Sequence, residues 1–136
     1  MKNDGTAAQD DFVSMMEERY GKNVYIYRLT DTKEIKGALK QGFVKKTPSD
    51  YIVTANGKMI YAEVKSTIDP KKFSFKFQKG QHIAMLRQTN AGGDYMVFIN
   101  SLHHKCWYMV PAEFFLANEK KSATWKELEC FILTSW

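Results

Sequence analysis

Apolar positions along this chain switch between a helical and an alternating period, and each switch marks an element. Over residues 6–20, Phe12, Met15, Met16 and Tyr20 recur at helical spacing with Ala8 one turn earlier, which predicts an amphipathic helix. Thr6 with Gln9 three residues on has the form of a capping box. Asp10 and Asp11 suit the positive N-terminal end of the helix, and Gly21 ends it. Residues 23–29, NVYIYRL, alternate as a strand. Residues 31–46 set Lys33, Lys36, Lys40, Lys45 and Lys46 against only Asp31 and Glu34, which predicts a short helix or loop with a solvated basic face. Strands follow at 50–55 and 58–66, and Asp69-Pro70 stops the second.

Residues 71–77 alternate Phe73, Phe75 and Phe77 with Ser74 and Lys76 and are expected to be extended. Residues 79–91 return to helical spacing, with Ile83, Leu86 and Met85 facing inward and Gly92-Gly93 closing the helix. DYMVFIN, 94–100, is apolar almost throughout, the pattern of a strand buried on both faces. Residues 101–105 make a turn, CWYMV returns as a strand, and Pro111 opens a helix through Glu113, Phe114, Phe115 and Leu116. The tail 124–136 fits either a short helix start at Thr124-Trp125-Lys126-Glu127 or a final strand near 131–133. The order α-β-β-β-α-β-β-α, with no repeat, linker or low-complexity segment, predicts an α/β fold with one mixed central sheet flanked by helices.

Composition narrows the class. A chain of 136 residues is one domain, 1–136, with room for a real core. Hydrophobic residues at 44% and aromatics at 14% exclude disorder. A formal net charge of +5 favours an anionic partner, nucleic acid or a membrane surface. No stretch approaches the ~20 apolar residues of a membrane span. The start, MKNDGTAAQDD, lacks the apolar core of a signal peptide, so a cytoplasmic location is expected. Cys106 and Cys130 make no disulfide framework and belong to no CxxC or HxxxH pair. Both are expected to be reduced core-type residues rather than zinc ligands.

Chemistry enters at residues 47–65, TPSDYIVTANGKMIYAEVK. Asn56-Gly57 between two β-rich runs is the signature of a two-residue type I′ hairpin turn. That turn sets the register, so Ala55 faces Lys58, Val53 faces Ile60 and Asp50 faces Glu63. Opposed residues have Cβ atoms roughly 4.5–5.5 Å apart, and like charges there are destabilising unless a cation sits between them. Lys65, two residues past Glu63, falls on the same face. Two carboxylates and an amine on one face form a site for a divalent metal and a phosphate. Phosphodiester hydrolysis needs an activated water and charge stabilisation, which Mg²⁺ held by carboxylates supplies, and Mg²⁺ keeps several waters, so few protein oxygens suffice. Asp50, Glu63 and the backbone carbonyl of Val64 would provide them, with Lys65 holding or deprotonating the attacking water. A surface hairpin with a cross-strand ion pair is the plainer alternative. The register, and Thr47-Pro48 placing Asp50 at a strand start, outweigh it.

Gln81 opens the second long helix, and either faces solvent or binds a phosphate or the metal-bound water. Gln9 lies one turn before Phe12 and Val13, where it reaches toward the same metal or, more simply, serves the capping box. Lys71, Lys72, Lys76 and Lys79 stand between the catalytic strand and the Gln81 helix, where they would meet phosphates on either side of a cut. Lys45, Lys46 and Arg87 are further candidate DNA contacts. The phenylalanines among these lysines are expected to be core rather than base-stacking.

Asp, then Glu-x-Lys across a hairpin, after an α-β start, is the PD-(D/E)XK nuclease motif. Over most of its length the chain resembles the RecU-type Holliday junction resolvases, with the archaeal Hjc resolvases more distant. GTAAQDDF is similar to the start of that family's first helix, and KKTPSDYIV through YAEVKST to its catalytic hairpin. FKFQKGQHIAMLRQTNAGGDYMVFIN resembles its Phe-rich stretch, Gln-bearing helix and buried strand, and WYMVPAEFF with KKSATWKELE its C-terminal portion. The resemblance implies a restriction-endonuclease-like core and Mg²⁺ dependence, with Mn²⁺ as a substitute. It also implies a homodimer that nicks paired strands of a four-way DNA junction. It places Asp50, Glu63 and Lys65 at the catalytic positions and matches Gln81 to the family's glutamine. The chain departs from the family in three places. Pro48-Ser49-Asp50 replaces a direct Pro-Asp, Gln9 stands where the family has a glutamate, and only the basic segment 31–46 stands in place of RecU's stalk. The compact form suggests a phage or mobile-element enzyme acting in a bacterial cell or infected host. The rival readings are a restriction-like or homing endonuclease with the same site, and a DNA-binding module impaired in catalysis at helix 1.

Overall fold

The computed structural model describes residues 5–29 and 47–134. The basic segment 31–46, with Lys45 and Lys46, and Trp136 lie outside the described residues. Helix α1 (Gly5–Tyr20) buries Ala8, Phe12 and Met16, a stripe at four-residue spacing. Gly21 at φ +56° ends it in a left-handed conformation that glycine adopts without strain. Strands β1 (Val24–Arg28), β2 (Tyr51–Ala55) and β3 (Lys58–Thr67) form an antiparallel meander. Asn56 at φ +52° and Gly57 at φ +76° are both positive, as a type I′ turn requires, and Ala55 faces Lys58 and Val53 faces Ile60 as the turn predicts.

β3 continues past β2 and pairs in parallel with β5 (Asp94–Ser101), which pairs antiparallel with β6 (Cys106–Pro111). The sheet order is β1-β2-β3-β5-β6. Parallel neighbours need a crossover, and here it carries β4 (Lys72–Ser74) and α2 (Lys79–Asn90). Pro111 caps α3 (Ala112–Ala117), and β7 (Ser122–Thr124) returns to pair with β4 in a separate two-stranded ribbon. This is the expected mixed sheet flanked by helices, with the ribbon added.

Strand alternation sorts the sheet residues onto two faces. Tyr51, Val53, Ile60, Ala62, Val64 and Phe98 pack on α1. Tyr95, Val97, Ile99, Tyr108 and Val110 pack on the opposite side with Met85, Ala112, Phe115, Phe73, Ala123, Trp125 and Leu128. β5 is therefore covered on both faces, as its apolar run predicts. Glu63 and Lys65 alternate with the α1-facing residues of β3, so they stand on the α2 side.

Several expectations change. Ile83 and Leu86 do not face inward; they are 41% and 44% exposed, while Met85 is fully buried. Helix α2 is rotated so that Gln81, Ala84, Met85 and Gln88 turn toward the sheet, and an amide holds a place that apolar periodicity would give to a hydrophobe. Helix α1 begins at Gly5, so position 6 falls inside the helix rather than at its N-cap. The extended run 71–77 narrows to β4, since the Lys76 amide turns back onto the Ser74 carbonyl at 2.9 Å. The phenylalanines are core, as expected, with Phe73 buried and Phe75 and Phe77 packed against the same cluster. Cys130 is exposed rather than core, and Cys106 is half-buried. The tail realises part of both alternatives. Thr124 and Glu127 exchange capping bonds of 2.9 and 3.2 Å around a single helical turn. Ile132 then bridges Tyr108, and the Leu133 amide donates to the Trp107 carbonyl at 2.8 Å.

Phe12 anchors the α1 side, with its ring 5.3, 4.8 and 6.0 Å from those of Tyr51, Phe98 and Trp107. Phe12→Ala should destabilise the protein by about 3–5 kcal/mol in urea unfolding. A loss below about 1 kcal/mol would contradict this packing.

Candidate active site

Asp50 sits in the bend just ahead of β2. The bend is held by the Ser49 hydroxyl, which donates to the Tyr51 carbonyl at 2.8 Å, and by the Tyr95 hydroxyl, which donates to the Pro48 carbonyl at 2.6 Å. The Leu29 amide donates to the Asp50 carbonyl at 2.9 Å, which ties the end of β1 to the same bend. Because β3 outruns β2, the Val64 amide has no strand partner on that side, and Asp50 Oδ2 accepts its hydrogen bond at 2.8 Å. The N–H and C=O of one strand residue point the same way, so the Val64 carbonyl also faces Asp50.

Glu63 lies opposite and is 2% exposed. Its Oε2 accepts from Gln81 Nε2 at 2.6 Å and lies 3.5 Å from Lys65 Nζ. Its Oε1 is buried and has no hydrogen-bond partner. Burial, and then the charge of Asp50, push the Glu63 carboxyl up to about 8, against the pull of Lys65. Asp50 is also raised, chiefly by burial, although the Val64 amide, Lys65, Arg28 and a side-chain hydrogen bond with Glu63 favour its charge. Tyr95 is raised by burial and by the two acids and keeps its proton.

Two amides hold the acids. Gln9 Nε2 donates to Asp50 Oδ1 at 3.3 Å across from α1. Gln81 Oε1 accepts from the Gln78 amide at 2.9 Å, within a capping box at the start of α2. That bond turns the Gln81 Nε2 toward Glu63. Lys65 is steadied by the Lys76 carbonyl at 3.5 Å and the Phe77 ring, whose centroid is 5.5 Å away.

A cleft of about 190 Å³ collects these groups, lined by Gln9, Arg28, Leu29, Thr47, Ser49, Asp50, Glu63, Gln78, Gly80 and Gln81. A buried acceptor without a partner costs about 1–3 kcal/mol, and adjacent carboxylates resist ionising together. A divalent cation relieves both, and the donor set of two carboxylates and a carbonyl suits Mg²⁺, which keeps water on its remaining positions.

The structure thus brings together Asp50, Glu63, Lys65, Gln81, Gln9 and the Val64 backbone. Gln81 is half-buried and lines the cleft, with its Nε2 donating to Glu63. Lys71, Lys72, Lys76 and Lys79 are exposed along the stretch leading from the ribbon to the start of α2. Arg87 lies apart, roughly 9 Å along α2 from Gln81, and does not line the cleft. Arg28, Gln78 and Tyr95 are absent from the sequence reading. Arg28 pairs with Tyr51, one residue from Asp50. Pairing β1 with β2 would have placed it there, but the two strands are far apart in sequence and no two-residue turn signal fixes their register.

No protein-family model and no curated protein matches the chain in sequence. Among solved structures, the fold is similar to that of Archaeoglobus fulgidus Hjc, a Holliday junction resolvase from an archaeal hyperthermophile. The TM-score is 0.62 at 12% identity, over 93% of each chain. The fold is therefore of the Hjc-like, restriction-endonuclease class.

The raised Glu63 carboxyl has a consequence for stability in a chelator. A folded-state pKa above the ordinary value of 4.5 favours the folded state below 4.5, and that advantage is lost as the pH rises toward about 8. Thermal melts should therefore fall across this window in wild-type protein and less steeply in Glu63→Gln. Identical slopes for the two proteins would contradict the buried, proton-holding carboxyl.

Proposed function

We propose that this chain is a metal-dependent, structure-selective DNA endonuclease that resolves four-way junctions by paired nicks. The observation that carries this reading is the buried, unpartnered Glu63 Oε1 beside Asp50, with Lys65 Nζ 3.5 Å from the other Glu63 oxygen. Such a site attracts a divalent cation and, next to it, a phosphate. The likeness in fold to a Holliday junction resolvase supports the choice of substrate.

Asp50, Glu63 and the Val64 carbonyl would hold Mg²⁺, or Mn²⁺ in its place. Once bound, the ion lowers the pKa of a water and offsets charge on the phosphate. Lys65 orients that water and balances developing negative charge, and Gln81 keeps Glu63 in place. The exposed Lys71, Lys72, Lys76 and Lys79 contact backbone phosphates and contribute affinity without sequence preference. Symmetric nicking of a two-fold junction calls for two such sites, hence a homodimer.

One observation favours a second reading, a DNA-binding module with impaired catalysis. Among the described residues no three His, Cys, Asp or Glu side chains gather as a metal site, and Gln9 occupies the position nearest to supplying a third acid.

With Mg²⁺ or Mn²⁺, the protein should nick four-way junctions faster than linear duplex of the same sequence. Asp50→Asn and Glu63→Gln should each lose at least about 10²-fold in cleavage rate while still shifting the junction in a gel. Equal rates on linear duplex would remove the junction specificity and favour a restriction-like or homing nuclease. Absence of cleavage on every DNA tested would leave the binding module.

A further inference from the structure

The surroundings of the four carboxylate oxygens bear on how many ions the site holds. Asp50 Oδ2 takes the Val64 amide at 2.8 Å, and Asp50 Oδ1 takes the Gln9 amide at 3.3 Å. Glu63 Oε2 takes Gln81 at 2.6 Å with Lys65 3.5 Å away. Glu63 Oε1 alone lacks a partner. A carboxylate oxygen has two lone pairs, so Glu63 and Asp50 would keep capacity to hold one cation beside the donors already there.

Charge sets the limit. Two carboxylates neutralise one divalent ion, and Lys65 already adds positive charge beside Glu63. Sites with two ions about 3.5–4 Å apart need further anionic ligands. Among the described residues, the α1 side of the cleft offers Gln9, whose amide has a dipole but no charge. The neighbouring Asp10 is exposed and does not line the cleft. Asp31 and Glu34 lie outside the described residues.

Resting on the metal-dependent reading above, we propose that each chain binds a single divalent cation, and that Gln9 sets this number by placing a neutral amide where a carboxylate would complete a second cation position. Gln9 is a positioning residue: it orients Asp50 toward the one ion.

The test is a count of Mn²⁺ ions by electron paramagnetic resonance of the free ion, titrated into DNA-free protein. Wild type should take one ion per chain, and Gln9→Glu should take two. If Gln9→Glu departs from the wild-type circular dichroism spectrum, Gln9→Asp carries the same charge with one methylene less and takes its place. Two ions on the wild-type chain would overturn the proposal and leave the metal-dependent nuclease standing. So would a folded acidic variant that still takes one. No ion on the wild-type chain would overturn both the proposal and the metal-dependent reading.

Discussion

The site depends on two carboxylates being forced together where water is scarce. Asp50 and Glu63 meet because the Asn56-Gly57 turn allows one register and no other convenient one. A slip of one residue would rotate Glu63 onto the α1 face and bring an apolar residue to the cleft. The packing of both sheet faces resists that slip, since Ile60, Ala62 and Val64 would leave the α1 core together. A two-residue turn and two hydrophobic layers therefore maintain a repulsion that the hairpin by itself would relax.

The hairpin was the most legible part of the chain, because a type I′ turn ties residue identity directly to backbone geometry. From it came the pairing of Asp50 with Glu63 and the place of Lys65. β5 was legible for a different reason: a strand covered on both faces has no polar positions to confuse the pattern. Helix α2 stands where the periodicity puts it, but its inward face does not follow the apolar stripe, since Gln81 occupies an inward position for the sake of Glu63. The β4–β7 ribbon was missed because three-residue strands have almost no periodicity and their pairing is non-local. Arg28 was missed because its place follows from a strand pairing with no short turn behind it.

Amides hold the two acids from opposite sides of the sheet, Gln9 from α1 and Gln81 from α2. Each is itself fixed by its element, Gln81 by a capping bond and Gln9 by the stripe that seats α1 through Phe12 and Met16. The amides that hold the two acids thus come from helices, and the bend that carries Asp50 is tied down by its own hydrogen bonds. Pre-organisation of this kind would suit the proposed reaction, which needs charge held in place before the substrate arrives.

The ribbon has a bearing on the order in which the molecule assembles during synthesis. The β2–β3 hairpin, with Asp50 just ahead of β2 and Glu63 on β3, emerges early. The Phe73–Lys79 stretch, which brings Lys76 and Phe77 against Lys65, is anchored through β4 to β7, near the end of the described chain. Domains made from the N-terminus onward gain such non-local contacts last. The wall that steadies Lys65 is therefore completed only when the ribbon closes, so the growing chain carries its acid pair well before it has a finished cleft.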